Sequence, residues 1–177
     1  EIIKVEWGKA VSPEEIGKRL KSNPQIKAVF TTLCETSTGV DNDIQSIAAV
    51  VKETSAVLVV DAISGLGAVD LKTDAWGVDV VVAGSQKGLM LPPGLGFICL
   101  SSRAWKLAEA SKSGRYYLDL RKAKKALDKN DTPFTPSITL IIALNEALKM
   151  MQQDGLENIF KRHRIMADAT RAAIKAL

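Results

Sequence analysis

Short apolar runs alternate along the chain with longer segments of helical period. Runs at 28–32 (AVFTT), 57–60 (VLVV), 78–83 (VDVVVA) and 95–100 (LGFICL) show little polar alternation and predict buried β-strands. The PPG sequence at 92–94 is too short for a helical crossover, so the last strand should pair antiparallel with a neighbour. The pattern predicts an α/β fold: a mostly parallel sheet with one antiparallel strand, flanked by helices.

Segments of helical period fill several of the connections, and the break at 128–136 is rich in Asp, Thr and Pro. The predicted helices are one capped by Asp41-Asn42-Asp43, partly helical pieces at 102–112 and 118–127, one from Ser137 to a stop at Gly155, and an amphipathic helix at 156–177. The opening EIIKVEWG (1–8) predicts a strand already under way. Because the chain also begins at Glu1, we expect it to be part of a longer polypeptide.

Composition excludes several classes of protein. With 177 residues, 46% of them hydrophobic, and a net charge of +4, the chain is long and apolar enough for one buried core and is not a disordered segment. No apolar run could span a bilayer. Cys34 and Cys99 do not make a disulfide framework, which favours a reduced, cytoplasmic setting. The basic run at 121–125 lacks interleaved aromatic residues and is interpreted as a solvated face, not a nucleic-acid site.

Polar residues follow three of the predicted strands. CETSTG follows the first strand at 34–39, Asp61 follows the second, and GSQKG follows the third at 84–88. Ligands of open parallel sheets bind at the carboxyl ends of the strands. Taken alone, the aspartate fits a helix or turn cap as well as a binding role, whereas the Ser-Thr-Gly run is more typical of a turn and the lysine of an exposed charge. Together, the Asp61 carboxylate and the Lys87 amine at one sheet edge indicate a ligand that both groups hold.

Pyridoxal phosphate is a ligand that needs this combination. It requires an amine to form a Schiff base at its aldehyde, and a carboxylate facing the ring nitrogen to keep that nitrogen protonated. Lys87 is the candidate for the first role and Asp61 for the second. Hydroxyl and amide groups must also hold the phosphate and the ring oxygen, and Ser85, Gln86 and Thr36 are the candidates.

Three strings carry a family resemblance: GSQKGLMLPPGLGF, the upstream ETSTG, and VVDAISGLGAVD between them. Together they closely resemble the class V aminotransferases of the serine–glyoxylate and alanine–glyoxylate type, over essentially the whole chain. The resemblance implies the large domain of the fold-type I pyridoxal-phosphate enzymes. It assigns residues 1–136 to the central part of that domain, and residues 137–177 to a helical segment leading toward a C-terminal small domain outside this sequence.

The resemblance also implies roles for individual residues. Lys87 matches the Schiff-base lysine and Asp61 the partner of the pyridinium nitrogen. The other implied contacts are Thr36 near the ring oxygen, Ile63 under the ring, Gln86 beside the phosphate, and Thr135 reaching across a homodimer interface to the neighbour's phosphate. The family's phosphate loop, its stacking aromatic residue and its carboxylate-binding arginine are expected outside these 177 residues.

The sequence disfavours two other functions, cysteine desulfuration and nucleotide binding. Related desulfurases carry a histidine immediately before the lysine, where this chain has Gln86, so desulfurase chemistry is disfavoured. The single histidine, His163, falls in the terminal helix, where an exposed or partly packed side chain is expected. The GLGAVD sequence at 65–70 lacks the third glycine of a dinucleotide fingerprint and does not open a helix at a strand end, so nucleotide binding is disfavoured.

The expected activity is transfer of an amino group from a small amino acid of the serine or alanine type to a keto acid such as glyoxylate or pyruvate. Two alternatives stay open at this point. One is another pyridoxal-phosphate reaction, such as a lyase, on the same fold. The other is a non-catalytic subunit that kept the scaffold. Some relatives carry the label of a soluble hydrogenase subunit, although the chain lacks a cluster of cysteines to hold iron or nickel.

Overall fold

The computed structural model describes all 177 residues. In chain order its elements are α1 (Pro13–Ser22), β1 (Ala28–Thr32), β2 (Cys34–Glu35), β3 (Val40–Asp41), α2 (Ile44–Lys52), β4 (Val57–Asp61), α3 (Thr73–Trp76), β5 (Val80–Gly84), β6 (Gly96–Leu100), α4 (Ser102–Ala110), α5 (Leu120–Leu127), α6 (Ile138–Asp154) and α7 (Leu156–Lys175). The predicted alternation of strands and helices is confirmed, and each of the four predicted strands lies within two residues of its expected bounds.

The main sheet has four strands in the order β1-β4-β5-β6. The pairs β1–β4 and β4–β5 are parallel, and Thr32, Asp61 and Val82 lie side by side in register. Strand β6 pairs antiparallel with β5, with Gly84 opposite Gly96, so the prediction of one antiparallel strand is confirmed. Because the first three strands run in the same direction, the loops that follow them meet at one edge of the sheet.

One face of the sheet is closed by α1 and α2. Leu58 and Val60 of β4 point to this face, because alternate residues of a strand face the same side, and neither is more than 1% exposed. They share a buried cluster with Ile16 of α1 and with Ile47 and Val51 of α2. Burial of each such side chain contributes roughly 1.5–3 kcal/mol, which stabilises the strands that carry the site.

The helices α6 and α7 lie against the loop that follows β5. Leu89 of that loop forms a second buried cluster with Met151 of α6 and Ile159 of α7. Farther along α7, Arg171 donates a hydrogen bond to the Gly39 carbonyl in the turn between β2 and β3 at 3.2 Å. The helix pair is thereby attached to two of the loops at the carboxyl edge of the sheet. None of the helices has both the length and the apolar character that a membrane crossing requires.

The opening segment does not form the strand that its sequence predicts. Its residues 2–5 make no backbone hydrogen bond within the chain, because no strand lies beside them. Side chains hold the segment instead: Ile3 packs against the core, and the Glu1 carboxylate accepts a hydrogen bond from Arg19 of α1 at 2.7 Å. A β-branched pattern specifies a strand only where a partner supplies the other half of the hydrogen bonds.

Helix α1 follows a start signal that its apolar pattern does not reveal. Ser12 accepts a hydrogen bond from the Glu15 N–H at 3.2 Å, and Pro13 stands at the first helical position, where a missing N–H costs nothing. The predicted cap of α2 is Asp43, which accepts from the Ser46 N–H at 2.9 Å. Ser137 is the N-cap residue of α6, as predicted, but its side chain makes no capping hydrogen bond.

Candidate active site

The carboxyl edge of the sheet brings the loops after β4 and β5 into direct contact. A side chain at Gly88 would collide with the carbonyl oxygen of Leu66. Gly67, at a φ of 84° that favours glycine, lies so close that a Cβ there would stand 3.2 Å from the Gly88 carbonyl oxygen. The two loops therefore touch backbone to backbone. This contact fixes the loop of Lys87 against the loop that begins at Asp61.

Lys87 has no partner for its charge. Its Nζ makes neither a hydrogen bond nor an ion pair within the chain, and the side chain is exposed. The lysine lines a cavity of about 770 Å³ between the strand-end loops and the helices α6 and α7. The other polar side chains on its wall are those of Ser64, Gln153, Asp154, Arg162 and His163. An amine that is not bound within the chain and that faces a cavity is available to a ligand.

Only one of the two oxygens of the Asp61 carboxylate has a hydrogen-bond partner within the chain. Its Oδ1 accepts a hydrogen bond from the Ile63 N–H at 2.9 Å, while Oδ2 has no partner and no cation lies within ion-pair distance. Asp61 does not line the cavity of Lys87: it is the last residue of β4, and the first residue of this loop on the cavity wall is Ser64. The half-buried Ile63 lies between Asp61 and Ser64 in this loop. One carboxylate oxygen is therefore free to accept a donor from a ligand.

Ser64 connects the first strand-end loop to the other two. Its hydroxyl is hydrogen-bonded to the hydroxyl of Thr36, which lies in the turn between β2 and β3, and Ser64 also lines the cavity of Lys87. The structure thus places Thr36 at the same edge as Asp61 and Lys87, as predicted. Sequence reasoning missed Ser64, although it lies three positions after the strand-ending Asp61 and belongs to the string VVDAISGLGAVD.

Ser85 holds the loop that carries Lys87. Its side chain is completely buried, and its hydroxyl donates to the Pro92 carbonyl at 2.7 Å and accepts from the Leu95 N–H at 3.2 Å. These bonds close the connection between β5 and β6, so the visible role of Ser85 is structural. Gln86 is exposed, and its side-chain oxygen folds back over Gly84. Their contacts with a cofactor stay predictions.

Thr135 lies apart from the other predicted site residues. It is exposed in the connection between α5 and α6 and shares no hydrogen bond or cavity with them. Its neighbour Phe134 packs on Tyr116 and Tyr117, with ring centroids 5.8 and 4.7 Å apart. A residue that serves the site of another subunit would stand in such a position, but dimerisation itself stays a prediction.

Two further titratable side chains, Cys34 and His163, lie near this edge of the sheet. Burial raises the pKa of the Cys34 thiol to about 11, with a smaller contribution from the neighbouring Asp41 carboxylate, so the thiol stays protonated at neutral pH and is no nucleophile. His163 is partly buried in α7, as expected, but it lines the cavity of Lys87, which the sequence did not suggest. Its position depends on how α7 packs, and no local motif records that.

The donor set at this edge fits pyridoxal phosphate. An unpaired amine, a carboxylate with one unpaired oxygen, and two hydroxyls belong to loops that touch one another. The amine matches the aldehyde of the cofactor, the carboxylate oxygen matches its protonated ring nitrogen, and the hydroxyls match its ring oxygen. The residues present therefore suit that group.

Comparison with known proteins agrees with the fold. The profile of the family Aminotransferase class-V matches residues 1–177. The chain therefore belongs to the class-V aminotransferase family. Over 98% of its length it superposes on pyridoxamine–pyruvate aminotransferase from Mesorhizobium loti with a TM-score of 0.92 and 32% identity, covering 45% of that chain. The expected fold, the large domain of fold-type I pyridoxal-phosphate transferases, is confirmed.

The names of two similar relatives differ in kind. The chain is 50% identical to a "soluble hydrogenase 42 kDa subunit" of Anabaena cylindrica, over 100% of this chain and 47% of that protein. It is 41% identical to a serine–glyoxylate aminotransferase of Methylorubrum extorquens, over 97% of this chain and 45% of that protein. The chain spans about half the length of the curated relatives it matches.

Proposed function

We propose that these residues belong to a subunit that transfers an amino group from a small amino acid, of the serine or alanine type, to a keto acid such as glyoxylate or pyruvate. The observation that carries the proposal is the pairing of an uncommitted amine, Lys87, with the half-free carboxylate of Asp61 on two loops in backbone contact. Relatives that act on glyoxylate, such as the serine–glyoxylate aminotransferase, support the substrate class.

Pyridoxal phosphate, when bound, supplies an electron-withdrawing ring that accommodates the charge left on the amino acid when its Cα loses a proton. Lys87 would hold the cofactor, and its Nζ, once free and neutral, would take the proton from Cα and later return it on the way to product. One residue would thus serve as base and as acid. The cavity beside Lys87 gives the side chain space for this movement.

Asp61 would hold a proton on the ring nitrogen of the cofactor. Its Oδ2 is the acceptor, while the Ile63 N–H keeps Oδ1 in place and so fixes the plane of the carboxylate. A charge-assisted hydrogen bond of this kind contributes about 1.5–3 kcal/mol in a buried site. Because the proton makes the ring electron-poor, Asp61 would increase the rate of Cα proton removal and not only the affinity for the cofactor.

The remaining predicted residues would position the cofactor. Thr36, held by Ser64, would face the ring oxygen, and Ile63 would pack under the ring. Gln86 and the loop held by Ser85 would approach the phosphate, and Thr135 would reach the phosphate of a second subunit in a homodimer. The division into a cofactor domain up to residue 136 and a helical segment from residue 137 onward is part of the same proposal.

An amino-transfer assay on the full-length protein tests the proposal. Serine or alanine incubated with glyoxylate should yield glycine, and serine incubated with pyruvate should yield alanine. Omission of the keto acid should stop turnover after the first half-reaction. Continuous keto-acid formation from the amino acid alone would favour the lyase reaction instead. No product under either condition, from protein that contains bound pyridoxal phosphate, would contradict both.

A non-catalytic subunit is the second candidate, and the name of the Anabaena relative favours it. The two candidates differ in colour, since pyridoxal phosphate bound to a lysine absorbs visible light. A full-length protein that stays colourless after incubation with pyridoxal phosphate would support the non-catalytic subunit.

A further inference from the structure

The hydrogen bond between the hydroxyls of Ser64 and Thr36 joins two turns at the carboxyl edge of the sheet. It is the only hydrogen bond that either side chain makes within the chain. Thr36 is exposed, whereas Ser64 is half-buried. A ligand at this edge can therefore reach the Thr36 hydroxyl, and no other side chain competes for it.

A tight turn fixes the Ser64 hydroxyl. The Ala62 carbonyl accepts a hydrogen bond from the Leu66 N–H at 2.9 Å, so the turn closes around Ser64. Gly65 is buried against Leu33, and a Cβ on Gly65 would stand only 2.7 Å from a Leu33 methyl carbon. The backbone of this turn is thus held in place without the Ser64 hydroxyl.

The turn between β2 and β3 fixes the Thr36 hydroxyl in a similar way. The Glu35 carbonyl accepts a hydrogen bond from the Gly39 N–H at 2.8 Å, and the Glu35 carboxylate accepts one from the Ser37 N–H at 3.0 Å. Arg171 of α7 donates to the Gly39 carbonyl at 3.2 Å. Because both turns are closed by other contacts, the hydroxyl pair is free to serve a ligand.

A pair of hydroxyls has two arrangements of its protons. In one, Ser64 donates to Thr36 and the Thr36 proton stays free; in the other, Thr36 donates to Ser64 and the Ser64 proton stays free. A ligand oxygen that accepts a hydrogen bond selects the arrangement whose free proton can reach it. Since Thr36 is the more exposed of the two, the ligand selects donation from Ser64 to Thr36.

We propose that Ser64 is a positioning residue for the cofactor: it donates its proton to Thr36 and thereby directs the Thr36 proton to the ring oxygen of pyridoxal phosphate. This relay rests on the proposed function, because the ring oxygen belongs to the cofactor proposed for the site. Hydrogen bonds in series polarise one another, so donation from Ser64 makes Thr36 a stronger donor to a negatively charged oxygen. Ser64 acts through Thr36 and does not itself bind the cofactor.

The relay would also support the role of Asp61, which begins the turn that carries Ser64. A hydrogen bond to the ring oxygen stabilises negative charge there. Negative charge on that oxygen is transmitted through the conjugated ring and favours a proton on the ring nitrogen. The relay and the Asp61 carboxylate therefore favour the same charge distribution in the cofactor.

Affinities for two ligands that form no bond with Lys87 test the relay. Full-length protein freed of cofactor is titrated with pyridoxamine phosphate, which has the ring oxygen, and with its deoxy analogue, which lacks that oxygen. Thr36→Val should weaken binding of pyridoxamine phosphate about 10- to 100-fold, and Ser64→Ala about 3- to 10-fold, because the first removes a bond to a charged oxygen and the second only weakens it. Neither variant should change the affinity for the deoxy analogue by more than about twofold.

Two further variants control for damage to the turn between β2 and β3. Ser37→Ala removes a hydroxyl that is bonded to Glu35 in this turn, and it should leave both affinities unchanged. Thr36→Ser keeps the donor and should bind pyridoxamine phosphate as the unaltered protein does. Equal weakening of both ligands by Ser64→Ala would show a merely structural role and would overturn the relay.

The double variant asks whether Ser64 acts through Thr36. In Thr36→Val protein, Ser64→Ala should cause no further loss, because the relay is already broken. Additive losses, or a larger loss from Ser64→Ala than from Thr36→Val, would mean that Ser64 bonds to the ring oxygen itself. Either result would overturn the order of the relay that we propose.

Failure of the proposed function would give a different result. Full-length protein that binds neither pyridoxamine phosphate nor its deoxy analogue would contradict the cofactor, and with it both the proposed function and the relay. Protein that binds pyridoxamine phosphate equally well with and without the Ser64 hydroxyl would overturn the relay alone and leave the proposed function standing.

Discussion

Asp79 and Asp61 stand at opposite ends of the parallel strands. They differ in how many of their carboxylate oxygens accept hydrogen bonds from the chain. Asp79 immediately precedes β5, is 4% exposed, and has every oxygen occupied. Its Oδ1 accepts from the Ser101 hydroxyl at 2.8 Å and from Arg103 Nε at 3.0 Å. Its Oδ2 accepts from the Leu58 N–H at 2.9 Å and from Arg103 Nη2 at 2.5 Å.

Burial alone raises the pKa of Asp79, but the hydrogen bonds from Arg103, from the Leu58 N–H and from Ser101 outweigh it and hold the pKa below its ordinary value. Asp61, by contrast, has one bonded oxygen, one unbonded oxygen and no cation. A carboxylate that the chain satisfies completely stabilises the fold. A carboxylate that the chain satisfies by half, on a loop in contact with the loop of an unpartnered lysine, is available to a ligand.

The largest effect is expected from Lys87→Ala. Loss of the only general base and acid of the proposed reaction should reduce amino transfer by at least about 10³-fold, and the visible absorbance of the bound cofactor should disappear. Steady-state rates and an absorption spectrum of the full-length variant measure this. Lys72→Ala, which removes an exposed lysine bound to Asp70, is the matched control and should leave both unchanged. A variant at Lys87 that keeps its colour and rate would reassign the lysine.

The second-largest effect is expected on the free energy of unfolding, which should fall much more on substitution of Asp79 than on substitution of Asp61. Asp79→Ala leaves the buried Leu58 N–H without an acceptor and Arg103 without its partner, so the free energy of unfolding should fall by about 2–4 kcal/mol. Asp61→Asn should change it by less than about 1 kcal/mol, because the side-chain oxygen still accepts from Ile63. Urea denaturation measures both. Equal losses would show that Asp61 is as structural as Asp79.

Turnover should distinguish the aspartates in the opposite sense. Asp61→Asn should reduce the rate by about 10–100-fold, which corresponds to losing one charge-assisted hydrogen bond, while much of the cofactor stays bound. Folded Asp79→Ala protein should keep its rate per bound cofactor. Steady-state kinetics with cofactor occupancy measured from absorbance tests this. Unaltered turnover in Asp61→Asn would remove Asp61 from the mechanism.

The smallest expected effect concerns acid stability. The hydrogen bond from Arg121 lowers the pKa of Asp119 from 3.8 to about 2. A carboxyl with a lowered pKa in the folded state stabilises it above pH 4, and that contribution is lost as the pH falls toward 2. Asp119→Asn should therefore flatten the pH dependence of stability between about pH 4 and 2. Asp128→Asn, at the other end of α5, is the control. Identical pH profiles for both variants would contradict the assignment.

The sequence predicts strand ends better than it predicts strand partners. Asp61 and Lys87 follow short β-branched runs, and such local signals locate them at one sheet edge correctly. The opening segment has the same kind of signal, yet it forms no strand, because pairing depends on residues far away or outside the chain. The contact between Gly67 and Gly88, the hydroxyl pair of Ser64 and Thr36, and the place of His163 at the cavity depend on tertiary packing, which no local pattern encodes.

Peptide mapping after borohydride reduction tests the central proposal most directly. Full-length protein incubated with pyridoxal phosphate, reduced and digested should carry the cofactor on the peptide that contains Lys87, and Asp61→Asn should leave that site unchanged. Reduced cofactor found on a peptide with a different lysine, or on no peptide at all, would contradict the assignment of Lys87 and the function inferred from it.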